Sequence, residues 1–372
     1  MEWINKQWFL KYDPVFVKND LFQNFDRKTY FNIALFQAAH DGDLDFIKKI
    51  FVLEEINVNV CNCYRHTPLH VACFKGKKEV VEFLLEKGAK VEAVDVHGYT
   101  PLIYSLRGDF VEIVSVLIRY NCNVNITYKK STYTPLHKAI IKNRFDIFKE
   151  LLTSKTIDVN RACKKGFTPL HVAISYENEK MVQMLLLTGK VIDPNVVDGN
   201  GYTVLHWAVF KQNLIILDNV LMMKDIDINC TFTNVDSPLH EACKNGNLEI
   251  VKSLLNKNAN VNAIGDREYK MTPLHWAAFL GYIKIVKELI KYKSNILSIN
   301  IIKQTPLHLA VLKNDIKVVK YLVKNGAEIY AEDENNRTPW DIAIENCYDL
   351  ILDFFKLIIN KENIQPILMD TT

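Results

Sequence analysis

One recurring tetrapeptide limits what this chain can become. It reads Thr67-Pro68-Leu69-His70 and returns from Thr134, Thr168, Thr272 and Thr305, with Ser237 replacing threonine in one further copy. Looser copies start at Thr100 (Ile103 for histidine), Thr203 (Val204 for proline) and Thr338 (Trp340 and Asp341 in the last two places). Successive copies lie 33 to 35 residues apart across the 372-residue chain. A repeat of that length is one supersecondary unit, which buries its apolar face by stacking on its neighbours.

Each copy has the chemistry of a helix start. Thr or Ser accepts from an otherwise unpaired N–H of the first turn. Proline follows at the first helical position, where it has no N–H to lose. Two residues beyond the histidine place comes a small side chain (Ala72, Ala139, Ala173, Ala208, Ala242, Ala277, Ala310), which admits a close neighbour. Gly76, Gly246 and Gly281 then break the helix. After Gly76, Val80, Val81, Leu84 and Leu85 form an apolar stripe at helical spacing, which predicts a second helix. Asp95 to Gly98 and Asp198 to Gly201 supply turn residues before the next cap.

Turn, helix, turn, second helix and loop in this phase resemble the ankyrin repeat, whose pattern includes the Thr-Pro-Leu-His-x-Ala signature. The resemblance covers roughly residues 32–358. It implies an all-α solenoid of stacked helix-turn-helix repeats with short β-hairpin loops. Residues 35–50 fit the pattern without the Thr-Pro start and read as an N-terminal cap, giving about ten repeats in all. The last repeat starts at Thr338, with its second helix expected over 350–359, so 359–372 reads as a C-terminal tail. Residues 1–31 lie outside the repeat and hold Trp3, Trp8, Phe9, Tyr12, Phe16, Phe22, Phe25, Tyr30 and Phe31. They are too aromatic for ordinary disorder and are expected to be helical and packed on the first repeat; a docking motif is the alternative.

The phase leaves little for catalysis. Of ten histidines, seven occupy the signature place: His70, His137, His171, His206, His240, His275 and His308. The resemblance makes these structural groups that tie one repeat to the next. His40, His66 and His97 remain, and no pair has the spacing of a helical zinc site. Cys61 and Cys63 form a Cys-x-Cys pair with no partner pair, so free thiols are expected. The chain has no phosphate loop, dinucleotide fingerprint or nucleophile elbow. The expectation is therefore no enzyme, no catalytic residue, no metal and no cofactor. A net charge of +3 without a long basic run argues against nucleic acid. Apolar stretches such as 181–187 fall short of the roughly 20 residues a membrane span needs, and the first residues lack the apolar core of a secretory signal.

By resemblance, a partner protein would meet the hairpin tips and the exposed side of the first helices. The residue before each cap would face that concave surface: His66, Tyr99, Tyr133, Phe167, Tyr202, Asp236, Met271, Gln304 and Arg337. Tyr99, Tyr133, Phe167 and Tyr202 read as an aromatic ladder, since rigid aromatics give much contact at low entropy cost. Phe74, Phe210 and Phe279 join Leu312 at a second position near the helix end. Trp207 and Trp276, directly after the signature histidine, read as core residues. Asn125, Asn160, Asn229 and Asn262 each follow a leucine by eight residues and are similar to asparagines hydroxylated in some ankyrin proteins. The leading expectation is a monomeric, cytoplasmic scaffold or adaptor for a protein partner. One alternative is a secreted effector of an intracellular parasite, bacterium or virus, delivered into a host cell to bind a host protein. The other is a ubiquitin-ligase substrate adaptor, with residues 1–31 doing the recruiting because 356–372 does not read as a recruiting box.

Overall fold

The structure is a computed structural model that describes residues 27–53, 56–127, 132–266 and 269–369. It follows the phase of the tetrapeptide. A helical pair, Arg27–Asp41 and Leu44–Leu53, precedes the repeats. First helices then start at each proline or its substitute: Pro68–Lys75, Pro101–Gly108, Pro135–Ile141, Pro169–Ser175, Val204–Lys211, Pro238–Asn245, Pro273–Phe279, Pro306–Leu312 and Pro339–Glu345. Each is followed by a second helix, from Lys78–Glu86 to Asp349–Met369. The chain divides into two compact units, 1–139 with 144–157, and 140–143 with 158–372.

Each core is built from the predicted stripes. In the first unit Val80, Val81, Leu84, Ile113, Val114 and Leu117 are fully buried; in the second, Ile250, Val251, Leu254, Ile285, Val286 and Leu289 are. Each such aliphatic side chain stabilises its unit by about 1.5–3 kcal/mol. The caps are reciprocal. Thr67 Oγ1 accepts from the His70 N–H, and His70 Nδ1 accepts from the Thr67 N–H at 3.1 Å. The same bond recurs at Thr134, Thr168, Thr203, Thr272 and Thr305.

With Nδ1 accepting, the proton sits on Nε2, and Nε2 donates to the chain of the next repeat. His70 reaches the Tyr99 carbonyl at 3.1 Å, His171 that of Tyr202 at 3.3 Å and His206 that of Asp236 at 2.9 Å. His240, His275 and His308 reach Met271, Gln304 and Arg337. A charged imidazole would turn an N–H toward the cap N–H. Burial pushes His70, His171, His240 and His275 down to about 4, against the carbonyls and nearby carboxylates that favour the charged form. Ile103 breaks the series: Thr100 Oγ1 is buried with no hydrogen-bond partner among the described residues.

Two boundaries differ from expectation, and the hairpin loops are short. The hairpins do not form strands among the described residues. The tips close by turn bonds, such as Asp95 N–H to the Tyr99 carbonyl at 3.1 Å and Gly98 N–H to the Asp95 carbonyl at 3.0 Å, and one isolated bridge joins Phe232 and Val235. The arms turn into helix or loop too soon to pair further. The boundary placed at 31/32 falls inside Arg27–Asp41; residues 1–26, with most of the N-terminal aromatics, lie outside the described residues. At the far end the expected tail continues the helix Asp349–Met369, because 360–365 contain no glycine or proline stop. The irregular repeat beginning at Thr203 keeps both helices. Asn213 caps the second by accepting from the Ile216 N–H at 3.1 Å, a signal hidden by the missing glycine.

Candidate partner-binding face

In several repeats the residue before the cap is held by its backbone. The preceding repeat's imidazole meets the carbonyl of Tyr99, Tyr202, Asp236, Met271, Gln304 and Arg337, and a loop Asp or Asn takes the N–H of His66, Tyr99, Tyr202, Gln304 and Arg337. Asp95 Oδ1 accepts from His97 and Tyr99 N–H at 2.7 and 2.8 Å, and Asp198 Oδ1 from Asn200 and Tyr202 at 2.8 and 3.0 Å. Asn62, Asn300 and Asp333 do the same. With the backbone fixed this way, the side chain at the place before the cap can vary without disturbing the stack.

In the first unit Tyr99, Tyr133 and Phe74 are half-buried. Tyr99 and Phe74 both meet the ring of Tyr104, at 6.3 and 5.9 Å between centroids. The Arg107 guanidinium lies 4.5 Å above the Tyr99 ring, and Lys138 Nζ lies 5.1 Å from that of Tyr133. The Tyr104 hydroxyl donates to Asp95 Oδ2 at 2.7 Å and accepts from His66 Nε2 at 2.9 Å. Burial lowers the His66 imidazole despite the Asp95 carboxylate beside it. Burial raises the Asp95 carboxyl, but the Tyr99 N–H, the Tyr104 hydroxyl and the His97 N–H outweigh it and leave it below the usual range.

In the second unit Phe167 meets Trp207 at 5.4 Å, Tyr202 meets Phe210 at 5.0 Å, and Phe279 meets Trp276 at 6.5 Å. Trp207 and Trp276 are therefore not core residues, as the sequence reading placed them. They are half-buried beside the two surface positions. Trp207 Nε1 donates to Asp198 Oδ2 at 3.0 Å, and Lys244 Nζ sits 4.6 Å over Trp276. Lys244 also contacts Asp236 Oδ2 at 2.6 Å and Glu241 Oε1 at 3.1 Å, two buried carboxylates.

The place four residues after the cap thus joins the two surface positions through Tyr104 and Trp207, and Trp276 meets the second of them at Phe279. Sequence reasoning missed it, although Trp207 and Phe210 stand three apart, as do Trp276 and Phe279, and such residues share a helix side. A second signal was present. In two repeats the loop residue nine before a donor at this place is Asp (Asp95 for Tyr104, Asp198 for Trp207). Those nine before Val71 and Leu309 are Asn62 and Asn300, whose Nδ2 atoms are buried with no partner among the described residues.

The loop asparagines form a separate ladder. Asn125, Asn160 and Asn262 donate Nδ2 to the carbonyls of Thr156, Val191 and Lys293 at 2.7, 2.8 and 3.4 Å. Asn229 accepts from the Asn260 N–H at 2.7 Å. Asn59 and Asn195 play the same part and were not singled out from sequence. All eight cysteines are free, Cys61, Cys63 and Cys347 being exposed. Among the described residues no His, Cys, Asp and Glu side chains gather in a group that could hold a metal ion, and no helix is long and apolar enough to cross a membrane.

The family described as Ankyrin repeats (3 copies) matches residues 16–95, 35–128, 92–163, 123–198, 157–232, 205–301 and 294–370. An ankyrin repeat protein of Fowlpox virus (strain NVSL) is 32% identical over 162 residues, 42% of this chain and 47% of that protein. One of Variola virus is 29% identical over 145 residues, 33% of this chain and 25% of that protein. Alpha-latrotoxin-Lt1a of Latrodectus tredecimguttatus is 30% identical over 155 residues, 41% of this chain and 11% of the toxin. The chain thus spans about half or less of the length of these relatives. Among solved structures, the ankyrin repeat domain of Bcl-3 superposes with a TM-score of 0.54 at 22% identity, covering 60% of this chain and 98% of that domain. That likeness is one of fold. Phase, cap chemistry, inter-repeat histidine bonds and family match agree: the chain belongs to the ankyrin repeat family.

Proposed function

We propose that this chain is a non-enzymatic scaffold or adaptor that holds a partner protein on its hairpin tips and first helices. Ankyrin repeats are protein-interaction modules. The observation that carries the reading is the uncoupling described above: in repeats such as those of Tyr99 and Tyr202 the backbone before the cap is fixed by an imidazole and a loop Asp, and the side chain is left to specify. Tyr99, Tyr133, Phe167 and Tyr202, with Phe74, Phe210 and Phe279, supply rigid contact area there. The test is the double substitution Tyr133→Ala with Phe167→Ala. Capture of partners from the native source should drop about tenfold or more, with the thermal midpoint of the free chain nearly unchanged. A collapsed midpoint with undiminished capture by the folded fraction would make these rings structural.

The poxvirus relatives favour a second reading, in which the partner is a host protein met after delivery into a host cell. Capture from uninfected host lysate alone would support it; capture only of proteins from the chain's own source would exclude it. Asn125, Asn160, Asn229 and Asn262 remain proposed hydroxylation positions. A hydroxyl on Cβ leaves their amide bonds to neighbouring loops intact, and mass spectrometry of the native protein reads it directly.

A further inference from the structure

The charges of the first unit are sorted between its two layers of helices. The first helices Pro68–Lys75 and Pro101–Gly108, and the part of Pro135–Ile141 in this unit, contain no Asp or Glu. They carry Lys75, Arg107 and Lys138, and the tip before Thr67 adds an exposed Arg65. The one carboxylate in the described tips, Asp95, is buried and already bonded to Tyr104 and His66. Most other acids lie on the second helices, in Glu79, Glu82, Glu86, Glu112, Asp146 and Glu150, where they mix with cations and pair with some of them; Asp41 ends the helix Arg27–Asp41, Glu92 lies in a loop, and Asp109, directly after Gly108, pairs with Arg144 at 3.4 Å. Arg119 meets Glu82 at 2.8 Å and Lys78 meets Glu112 at 3.2 Å.

The cations of the first helices are also positioned. Arg107 rests on Tyr99, Lys138 on Tyr133 and Lys75 on Phe74, the last at 5.6 Å. For Arg107, stacking on the ring holds the long side chain without spending its hydrogen-bond donors. Less rotamer freedom then remains to be lost on binding. No carboxylate among the described residues lies within ion-pairing distance of the exposed Arg107, and its planar fork matches a carboxylate through two parallel bonds.

From this segregation we infer that the first unit docks an acidic, extended segment of its partner protein, with carboxylates on Arg107 and Lys138 and apolar side chains between them on Tyr99 and Tyr133. The inference rests on the proposed partner-binding role and names its chemistry. Neighbouring first helices stand roughly 10 Å apart, and an extended chain rises about 3.3 Å per residue, so an acid about every third residue meets successive repeats. Peptide fits better than nucleic acid, because the net charge is only +3 and Arg107 and Lys138 already cover one face of the Tyr99 and Tyr133 rings on which a base would stack.

The experiment uses the full chain and a short fluorescein-labelled peptide with Glu at every third position and Leu and Ser between, followed by fluorescence anisotropy. The same peptide with Gln for Glu, and a single-stranded DNA of similar length, are the comparison probes. The Glu peptide should bind and weaken as salt rises. Arg107→Gln with Lys138→Gln should weaken it about tenfold or more, whereas Lys149→Gln on a second helix should not. If the double variant fails to fold, Arg65→Gln at the exposed tip gives the same reading with a smaller loss. Equal binding of the Gln peptide, no loss in the variants, or binding of DNA alone overturns the inference. The double variant is also used to capture partners from the native source. Undiminished capture there would reject the acidic segment and leave the platform standing.

Discussion

Arg107 in the first unit and Lys244 in the second make the same contact and use it differently. Each places a cation over an aromatic ring, 4.5 Å above Tyr99 and 4.6 Å above Trp276. Lys244 is neutralised from within by Asp236 and Glu241, both buried. Arg107 is exposed, on a helix that contains no acid. The charge in the second unit is consumed by the fold, and the charge in the first is presented. Cation–aromatic geometry therefore does not mark a binding residue by itself; the neighbouring carboxylates decide.

Acid is the strongest way to break the comparison. The second unit holds three imidazoles lowered to about 4, His171, His240 and His275, and a fourth, His308, that is lowered too. In the first unit His70 is lowered to about 4 and the partly exposed His66 is lowered as well. An unfolded histidine titrates near 6.5, so the unfolded state takes up protons that the native state refuses. Stability is full above pH 6.5 and falls as pH drops toward 4, by on the order of 3 kcal/mol for each buried imidazole lowered to about 4. Segment-resolved hydrogen exchange should show the second unit opening at a higher pH than the first. Equal opening, or loss on the alkaline side, would show that the imidazoles are not the main titrating load.

Lys244→Met comes next. It strips the ammonium from two buried carboxylates and should cost the second unit about 3 kcal/mol in urea unfolding. Arg107→Met should change the first unit by less than about 0.5 kcal/mol. Similar costs for the two would dissolve the distinction between consumed and presented charge. The smallest expected effect is a gain. Ile103→His would give the orphaned Thr100 hydroxyl and its N–H the partner found in other repeats, stabilising the first unit by about 1 kcal/mol. A loss would mean that the fully buried Ile103 packs too tightly for an imidazole.

The phase of the tetrapeptide made the helices, caps and histidine bonds legible, because each depends on residues within a few positions of one another. The ends were less so. The helix Asp349–Met369 continues past the repeat pattern, and the first helix breaker after 359, Pro366, lies close to its end. Trp207 and Trp276 were misplaced because a tryptophan after the signature histidine resembles the buried Val71 and Val172 of other repeats. Indole is too large to be enclosed there, so it reaches the surface beside Phe210 and Phe279. The sorting of charge between helix layers was invisible until each residue was assigned a layer, since a net charge of +3 averages it away.

The central claim, that the partner sits on the hairpin tips and first helices, is tested most directly by hydroxyl-radical footprinting of the chain alone and bound to its captured partner. Oxidation of Tyr99, Tyr133, Phe167, Tyr202 and Phe279 should fall in the complex. Oxidation of Tyr120 and Met222, exposed by 37% and 78% at the ends of second helices, should stay unchanged. Protection of Tyr120 and Met222 with the first-helix aromatics still oxidised would contradict the account.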